Sequence, residues 1–275
     1  MIGAAVLTLR AQNAGRLPFI NGRLMHAVFF KILNEFAAGL GNFIHDTMNI
    51  KPFTVSFLDP AEKISSAQNY WQVRRGDKFL WRVTGLNAEI LRTIMRVPIG
   101  YKIQVGALTL SVENFSGDAD FMAADDFIFG IKNAQPAAEI CFEFVSPTTF
   151  RIDNFDAPYP RAELIFASLA DKWTQADMPA AVDKKIIRDL ATEIQLCEWG
   201  GQCKKFYLTR DRGTLAFWGK FFYGLSNLSA DIVKAFMLLA KFGEFAGIGR
   251  LTGQGFGQVR TTFISGQPRK IVSPS

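Results

Sequence analysis

From Ala4 onward the apolar residues switch between a two-residue and a 3.6-residue repeat, and the same order of switches is run through twice. Ala4–Leu9 reads as a strand. After Asn21 and Gly22, Leu24, Val28, Ile32 and Phe36 recur every four residues, the stripe of a helix with one buried face. Gly39 and Gly41 break that helix, and a short segment through Phe43 and Ile44 leads to His45. Pro52 opens F-T-V-S-F-L, and strand signals follow at Tyr70–Val73 and Lys78–Thr84 around the turn R-R-G-D. Leu86–Met95 is helical in pattern, and Lys102–Phe115 is an extended pair bent at Gly106. The order is close to β-α-β-β-α-β.

The second round begins with the alternating run I-C-F-E-F-V-S and the extended S-P-T-T-F-R. Helical patterns cover Arg161–Trp173 and Ala180–Leu190, and strands cover Lys205–Thr209 and Thr214–Leu225 around R-D-R-G. Asp231–Phe245 is amphipathic, and Phe256–Ile264 is a last strand. The expectation is an α+β chain of tandem ferredoxin-like (RRM-like) domains. Residues 1–116 form the first, 117–137 a linker, 138–265 the second and 266–275 a tail. At 275 residues the chain has room for two such domains. Between Ser116 and Asp126 lie Asp118, Asp120, Asp125 and Asp126, without the spacing of a calcium loop, so a solvated linker is the better reading.

Charge is lopsided. Residues 1–183 carry 17 Lys/Arg against 19 Asp/Glu, whereas residues 184–275 carry 14 against 6. A basic end attracts phosphate backbones, but it is equally what a solvated face looks like, and charge alone leaves both open. No apolar run approaches the roughly 20 residues of a membrane span, so no membrane is expected. The opening M-I-G-A-A-V-L-T-L-R lacks a basic leader and suits a buried strand better than a signal. Cys141, Cys197 and Cys203 are odd in number and form no C-x-x-C pair. They fit a reduced, cytoplasmic compartment and make a structural zinc improbable.

The sharpest local motif is G-I-G-R-L-T-G-Q-G-F-G, spanning Gly247, Gly249, Arg250, Gly253, Gly255 and Gly257. A dinucleotide fingerprint would need a glycine where Thr252 stands and a βαβ unit after it, and a P-loop would need G-K-[ST]. Neither condition is met, so no nucleotide cofactor is expected. Two readings remain. Backbone without side chains can approach phosphates and donate N–H groups to them, with Arg250 as a local cation. Alternatively the glycines serve turns and tight packing. Phe256, between two of them, reads as a packing anchor.

This loop resembles the signature loop of the repeat-associated mysterious protein (RAMP) superfamily. Within it, the chain is similar to the CRISPR-associated endoribonucleases that process precursor CRISPR RNA. The resemblance extends to F-G-E-F-A-G-I-G-R-L-T and the trailing G-Q-V-R, to S-P-T-T-F-R at Ser146–Arg151, to L-I-F-A-S-L-A-D-K-W at Leu164–Trp173 and to F-W-G-K-F-F-Y at Phe217–Tyr223. Near the front, I-H-D followed by K-P-F-T-V-S-F-L resembles the family's active-site region.

The chain has only two histidines, His26 and His45. From the residues alone each could be structural, and a helix-turn-helix fold-back would bring the two together. Metal-independent RNA cleavage needs a base for the 2′-hydroxyl, an acid for the departing 5′-oxygen and a cation for the charge on the phosphate. Imidazole serves as either acid or base near neutral pH, and a lysine such as Lys51 can hold the charge. The resemblance maps the family's active-site histidine onto His45, places His26 where a second polar participant sits, and puts Lys51 near the basic partner. It implies no cofactor and no metal. The products would be a 2′,3′-cyclic phosphate (or a 3′-phosphate) and a 5′-hydroxyl, with the guide RNA retained. Partners so implied are repeat RNA in precursor CRISPR RNA, a larger effector complex and a second copy in a homodimer. Arg74, Arg75, Lys204, Lys205, Arg210 and Arg212, at turns or strand ends, are candidate phosphate contacts. Each is also what an exposed hairpin carries. The competing reading is a non-catalytic RAMP subunit that binds guide RNA without using His45.

Overall fold

The computed structural model describes residues 1–47, 51–116, 121–208 and 213–266. Two compact units emerge: Met1–Met122 with Leu251–Gly255, and Ala123–Arg250 with Phe256–Ser275. Among the described residues no helix is long and apolar enough to cross a membrane.

The first unit opens with β1 (Gly3–Ala11) and β2 (Gly15–Pro18), then α1 (Gly22–Phe36) and the short α2 (Leu40–Thr47). Next come β3 (Phe53–Val55), β4 (Asp59–Pro60), β5 (Ser66–Ala67), β6 (Tyr70–Val73) and β7 (Lys78–Gly85). Helix α3 (Ala88–Met95), β8 (Lys102–Val105) and β9 (Leu108–Ser116) complete it. The main sheet has the order β3-β7-β1-β9-β8, antiparallel throughout. Taking β1, β3, β7 and β9 as the four ferredoxin strands, with α1 and α3 as the crossings, gives the β-α-β-β-α-β arrangement. Alternation decides which side each strand buries. On β7, Phe79, Trp81 and Val83 are in the core while Leu80 between them is exposed. Thr54 and Thr84, paired across β3 and β7, share a buried hydroxyl hydrogen bond of 2.7 Å that pins the register.

Three features of this unit sharpen the reading of its sequence. The buried stripe of α1 is Met25, Val28, Phe29, Ile32 and Leu33, with Leu24 and Phe36 at its margins. Each fully buried side chain of this kind contributes about 1.5–3 kcal/mol. The stretch up to His45 is a helix, because one turn of chain at Gly39 (φ +82°) suffices to restart it. And β6 and β7 do not pair around R-R-G-D: β6 joins β2 and β5 in a separate three-stranded sheet.

The second unit begins with α4 (Ala124–Lys132), followed by β10 (Glu139–Thr148) and the small hairpin β11 (Phe150–Ile152) and β12 (Phe155–Ala157). Then come α5 (Ala162–Gln175), α6 (Lys184–Leu190), β13 (Gln195–Tyr207), β14 (Gly213–Gly224), α7 (Ala230–Ala246) and β15 (Val259–Ile264). Its sheet order, β13-β14-β10-β15, repeats the ferredoxin pattern with α5 and α7 as the crossings. The fold is α+β, two ferredoxin-like units in tandem. Phenylalanine fills this core: Phe142 packs edge-on against Phe166 and Tyr223, and Phe166 against Phe236. Phe256 is fully buried with its ring edge-on to Phe206, a packing anchor.

The expected linker holds α4, whose Phe127 is buried edge-on to Phe245 of α7, so acidic residues Asp125 and Asp126 sit in a helical first turn. Asp118 and Asp120 lie outside the described residues. Helix α6 starts only at Lys184, because the Asp183 carboxylate accepts from the N–H groups of Lys185 and Ile186 and so sets the N-cap. Strand β13 reaches back to Gln195, far beyond the expected start at Lys205. Glycines account for it: Gly201 pairs with Gly219 across the hairpin, and a Cβ on Gly219 (φ +130°) would overlap the Gly200 carbonyl. All three cysteines are free thiols.

Candidate functional site

The candidate site is built on the first unit from the start of α1. Asn21 precedes the helix, and its buried amide donates to the carbonyls of Pro18 and Leu58 while its oxygen accepts from Leu58 N–H. That network fixes where α1 begins. One turn later comes His26, half-buried, and one further turn gives Phe30 on the same face. The chain reverses at Gly39 into α2, whose buried Ile44 anchors it and leaves His45 outward, its side chain 69% exposed.

Phe30 links the two histidines. Its ring lies edge-on to His26 at 4.9 Å and edge-on to His45 at 5.8 Å between centroids. Phe53, at the start of β3, stacks on Phe29 at 4.1 Å and lies 6.1 Å from His26. The Nδ1 of His45 donates to the Asp46 carboxylate at 2.9 Å. Lys51 donates from Nζ to the carbonyls of Ile44 and His45, both 2.9 Å away. A cation at the last carbonyls of a helix satisfies groups the helix itself leaves open. Burial pushes the His26 pKa below its ordinary value of 6.5. A hydrogen bond to Gly253 opposes this, and the charges of His45, Lys51 and Arg23 add to the lowering.

The middle of the glycine loop, Leu251–Gly255, belongs to this same unit. His26 Nδ1 lies 2.7 Å from the Gly253 carbonyl oxygen. A Cβ on Gly22 would overlap the Gln254 carbonyl, and one on Gly255 (φ +88°) would meet the Phe57 ring at 2.5 Å. The glycines therefore permit close backbone approach. The loop's flanks are held within the second unit. Gly247 N–H donates to Gly243 O, Ile248 N–H to Gly257 O, Gly249 N–H to Ser168 Oγ, and Gly257 N–H to Pro147 O. Arg250 donates through its backbone to Thr149 O and through its guanidinium to Asp156 at 2.8 Å. The N–H groups of Gly247, Gly249 and Gly257 are thus spent inside the protein, in keeping with the turn-and-packing reading of these glycines. Arg250 is likewise engaged by a carboxylate.

The remaining candidates are scattered. Arg74 and Arg75 are exposed beside Gly76, with Arg74 N–H donating to the Asp77 carboxylate. Lys204 and Lys205 are exposed on β13, Lys204 over the rings of Phe206 and Trp218 at 5.2 and 5.3 Å and Lys205 over Tyr207 at 5.5 Å. Arg210 and Arg212 lie outside the described residues. Among the described residues no group of three His, Cys, Asp or Glu is arranged to hold a metal. Sequence reasoning missed Phe30, Asp46, Phe53 and Gly22. Phe30 carried a signal, four residues from His26 on a helical pattern, and Asp46 and Phe53 lay inside the runs I-H-D and K-P-F-T-V-S-F-L.

A family model described as the CRISPR Cas6 N-terminal domain matches residues 1–105, and one described as CRISPR-associated endoribonuclease Cas6 matches residues 142–259. The chain belongs to the Cas6 family. Solved Cas6 structures share the fold. A Cas6 product complex aligns with a TM-score of 0.75 at 22% identity, over 95% of this chain and 100% of the other. A Thermus thermophilus Cas6 aligns with a TM-score of 0.70 at 20% identity, over 95% and 98%. The product of a Cas6-related gene from Pyrococcus furiosus aligns at 0.60 and 16% identity, over 95% and 99%. No curated protein sequence is a significant match. Cas6 membership places the chain among RNA-binding endoribonucleases of CRISPR RNA processing.

Proposed function

We propose that this chain cuts CRISPR repeat RNA by metal-independent transesterification, with His26 and His45 as the acid–base pair. The observation that carries the reading is the His26–Phe30–His45 constellation with Lys51 at the end of α2, drawn from separate elements into one neighbourhood. His26, kept toward its neutral form by burial, takes the proton of the ribose 2′-hydroxyl. The 2′-oxygen then attacks the adjacent phosphorus, and the bond to the 5′-oxygen breaks. His45, oriented by Asp46, gives its proton to that oxygen. Lys51 contributes positive charge beside the phosphate. The products are a 2′,3′-cyclic phosphate and a 5′-hydroxyl. Lys204, Lys205, Arg74 and Arg75 supply backbone contacts to the strand.

Support also comes from the neighbours. One is a Cas6 product complex, another was solved with a substrate mimic, and a third is a variant in which a histidine is replaced by alanine. The test is a cleavage gel with the cognate repeat in EDTA. Wild type cuts and leaves a cyclic phosphate end, whereas His45→Ala binds without cutting. Unchanged cutting by His45→Ala, or a strict magnesium requirement, rejects the mechanism.

A further inference from the structure

A carbonyl oxygen has no proton to give. The 2.7 Å contact between His26 Nδ1 and Gly253 O therefore requires the hydrogen to sit on Nδ1. In neutral imidazole that leaves Nε2 unprotonated, since the bond made by one ring nitrogen decides the state of the other. We propose that the segment Leu251–Gly255 is a positioning element, whose Gly253 carbonyl holds His26 in the tautomer with a basic Nε2. The inference rests on the acid–base reading above and assigns the glycine loop a role in rate.

Three independent features hold the carbonyl in place. Gly22, at the first turn of α1, lets the Gln254 carbonyl come closer than any side chain would allow. Gly255 turns through φ +88° directly over the Phe57 ring. Gly253 itself fits against Phe53, where a Cβ would stand 3.2 Å from the ring and 3.5 Å from His26 Nδ1. Phe30 and Phe53 fence the imidazole on two sides, so the ring cannot swing away without losing both contacts. Burial favours the neutral ring, in which the choice of tautomer matters. The arrangement parallels a catalytic histidine oriented by a buried acceptor, where the wrong tautomer costs on the order of 10⁴ in rate.

The experiment uses the full chain. Because there are only two histidines, ring ¹⁵N resonances are assigned by comparison with His26→Ala. At neutral pH the wild-type His26 ring is expected to carry its proton on Nδ1. Gly22→Ala puts a Cβ into overlap with the Gln254 carbonyl oxygen, which displaces Gln254 and with it the Gly253 carbonyl. In that variant the Nδ1–H signature is lost and single-turnover cleavage falls on the order of 10²–10⁴-fold. Affinity for a repeat blocked at the scissile 2′-hydroxyl stays as in wild type. A wild-type ring protonated on Nε2 overturns the inference, and needs no variant. So does a Gly22→Ala chain that keeps the Nδ1–H signature and the full rate. If His26→Ala cuts at the wild-type rate, the acid–base reading itself falls and takes the inference with it.

Discussion

Among the described residues Lys172 on α5 is the most deeply buried cation, 6% exposed, with Nζ donating to Ala246 O at 3.1 Å and Gly247 O at 2.9 Å. Those carbonyls end α7. A neutral amine has two N–H groups, which is the number of acceptors supplied, and no third acceptor is found among the described residues. Burial pushes the Lys172 pKa down to about 7, with Asp171 pulling it back only in part. In the unfolded chain the ordinary value of 10.5 returns. Between these limits the unfolded state binds one more proton than the folded state, so stability rises with pH at up to about 1.4 kcal/mol per unit. Below pH 7 both states are protonated and the dependence vanishes. Above 10.5 both are neutral and it vanishes again. Over the whole window the gain is about 5 kcal/mol, and between pH 7 and 9 about 2 kcal/mol. Lys172→Met removes the titration. It also strips both carbonyls of their donor, a loss that shifts the curve without tilting it. Urea unfolding of both proteins at pH 7, 8 and 9 measures the difference in slope, in which all other groups cancel. Parallel curves, or a wild type that weakens relative to Lys172→Met as pH rises, would refute the argument.

Three further outcomes are expected. On the proposed mechanism, in which neutral His26 is the base, the cleavage rate falls in acid with a midpoint below 6.5, because burial lowers the His26 pKa; a pH–rate profile checks this, and His26→Ala abolishes the limb. Gly219→Ala loses about 1–3 kcal/mol, since the residue must take φ +130° and overlaps the Gly200 carbonyl, read as a lower urea midpoint at unchanged m-value. Replacing both Lys204 and Lys205 with alanine lowers the salt slope of RNA affinity by about 1.4, the share of two phosphate contacts on a single strand, measured by titration at several salt concentrations.

The order of elements was legible because it depends on periodicity alone: Val28 and Ile32 on α1, the alternation of β7, and the amphipathic α7 each bury the side their spacing indicates. What stayed hidden depends on partners distant in the chain. Nothing local says that β6 leaves β7 for β2, or that Gly200 and Gly201 continue a strand whose other half comes later. The same holds for the site. His26 and His45 stand out as rare residues, but the acceptor of His26 lies 227 positions away and is a backbone atom, which no side-chain pattern can announce. Arg250 looked like a free cation for the same reason, because Asp156 lies 94 positions away on the β11–β12 hairpin.

That Leu251–Gly255 completes a unit otherwise finished at Met122 has a bearing on biosynthesis. At about 5–20 residues per second, the ribosome needs roughly 6 to 26 s to travel from one to the other. During that interval α1 with His26 has been made, but Gly253, whose carbonyl lies 2.7 Å from the His26 Nδ1, has not. On the proposed role of that carbonyl, the nascent chain would lack a competent imidazole until Gly253 is made, well after the last strand of the unit's own sheet, β9, which ends at Ser116.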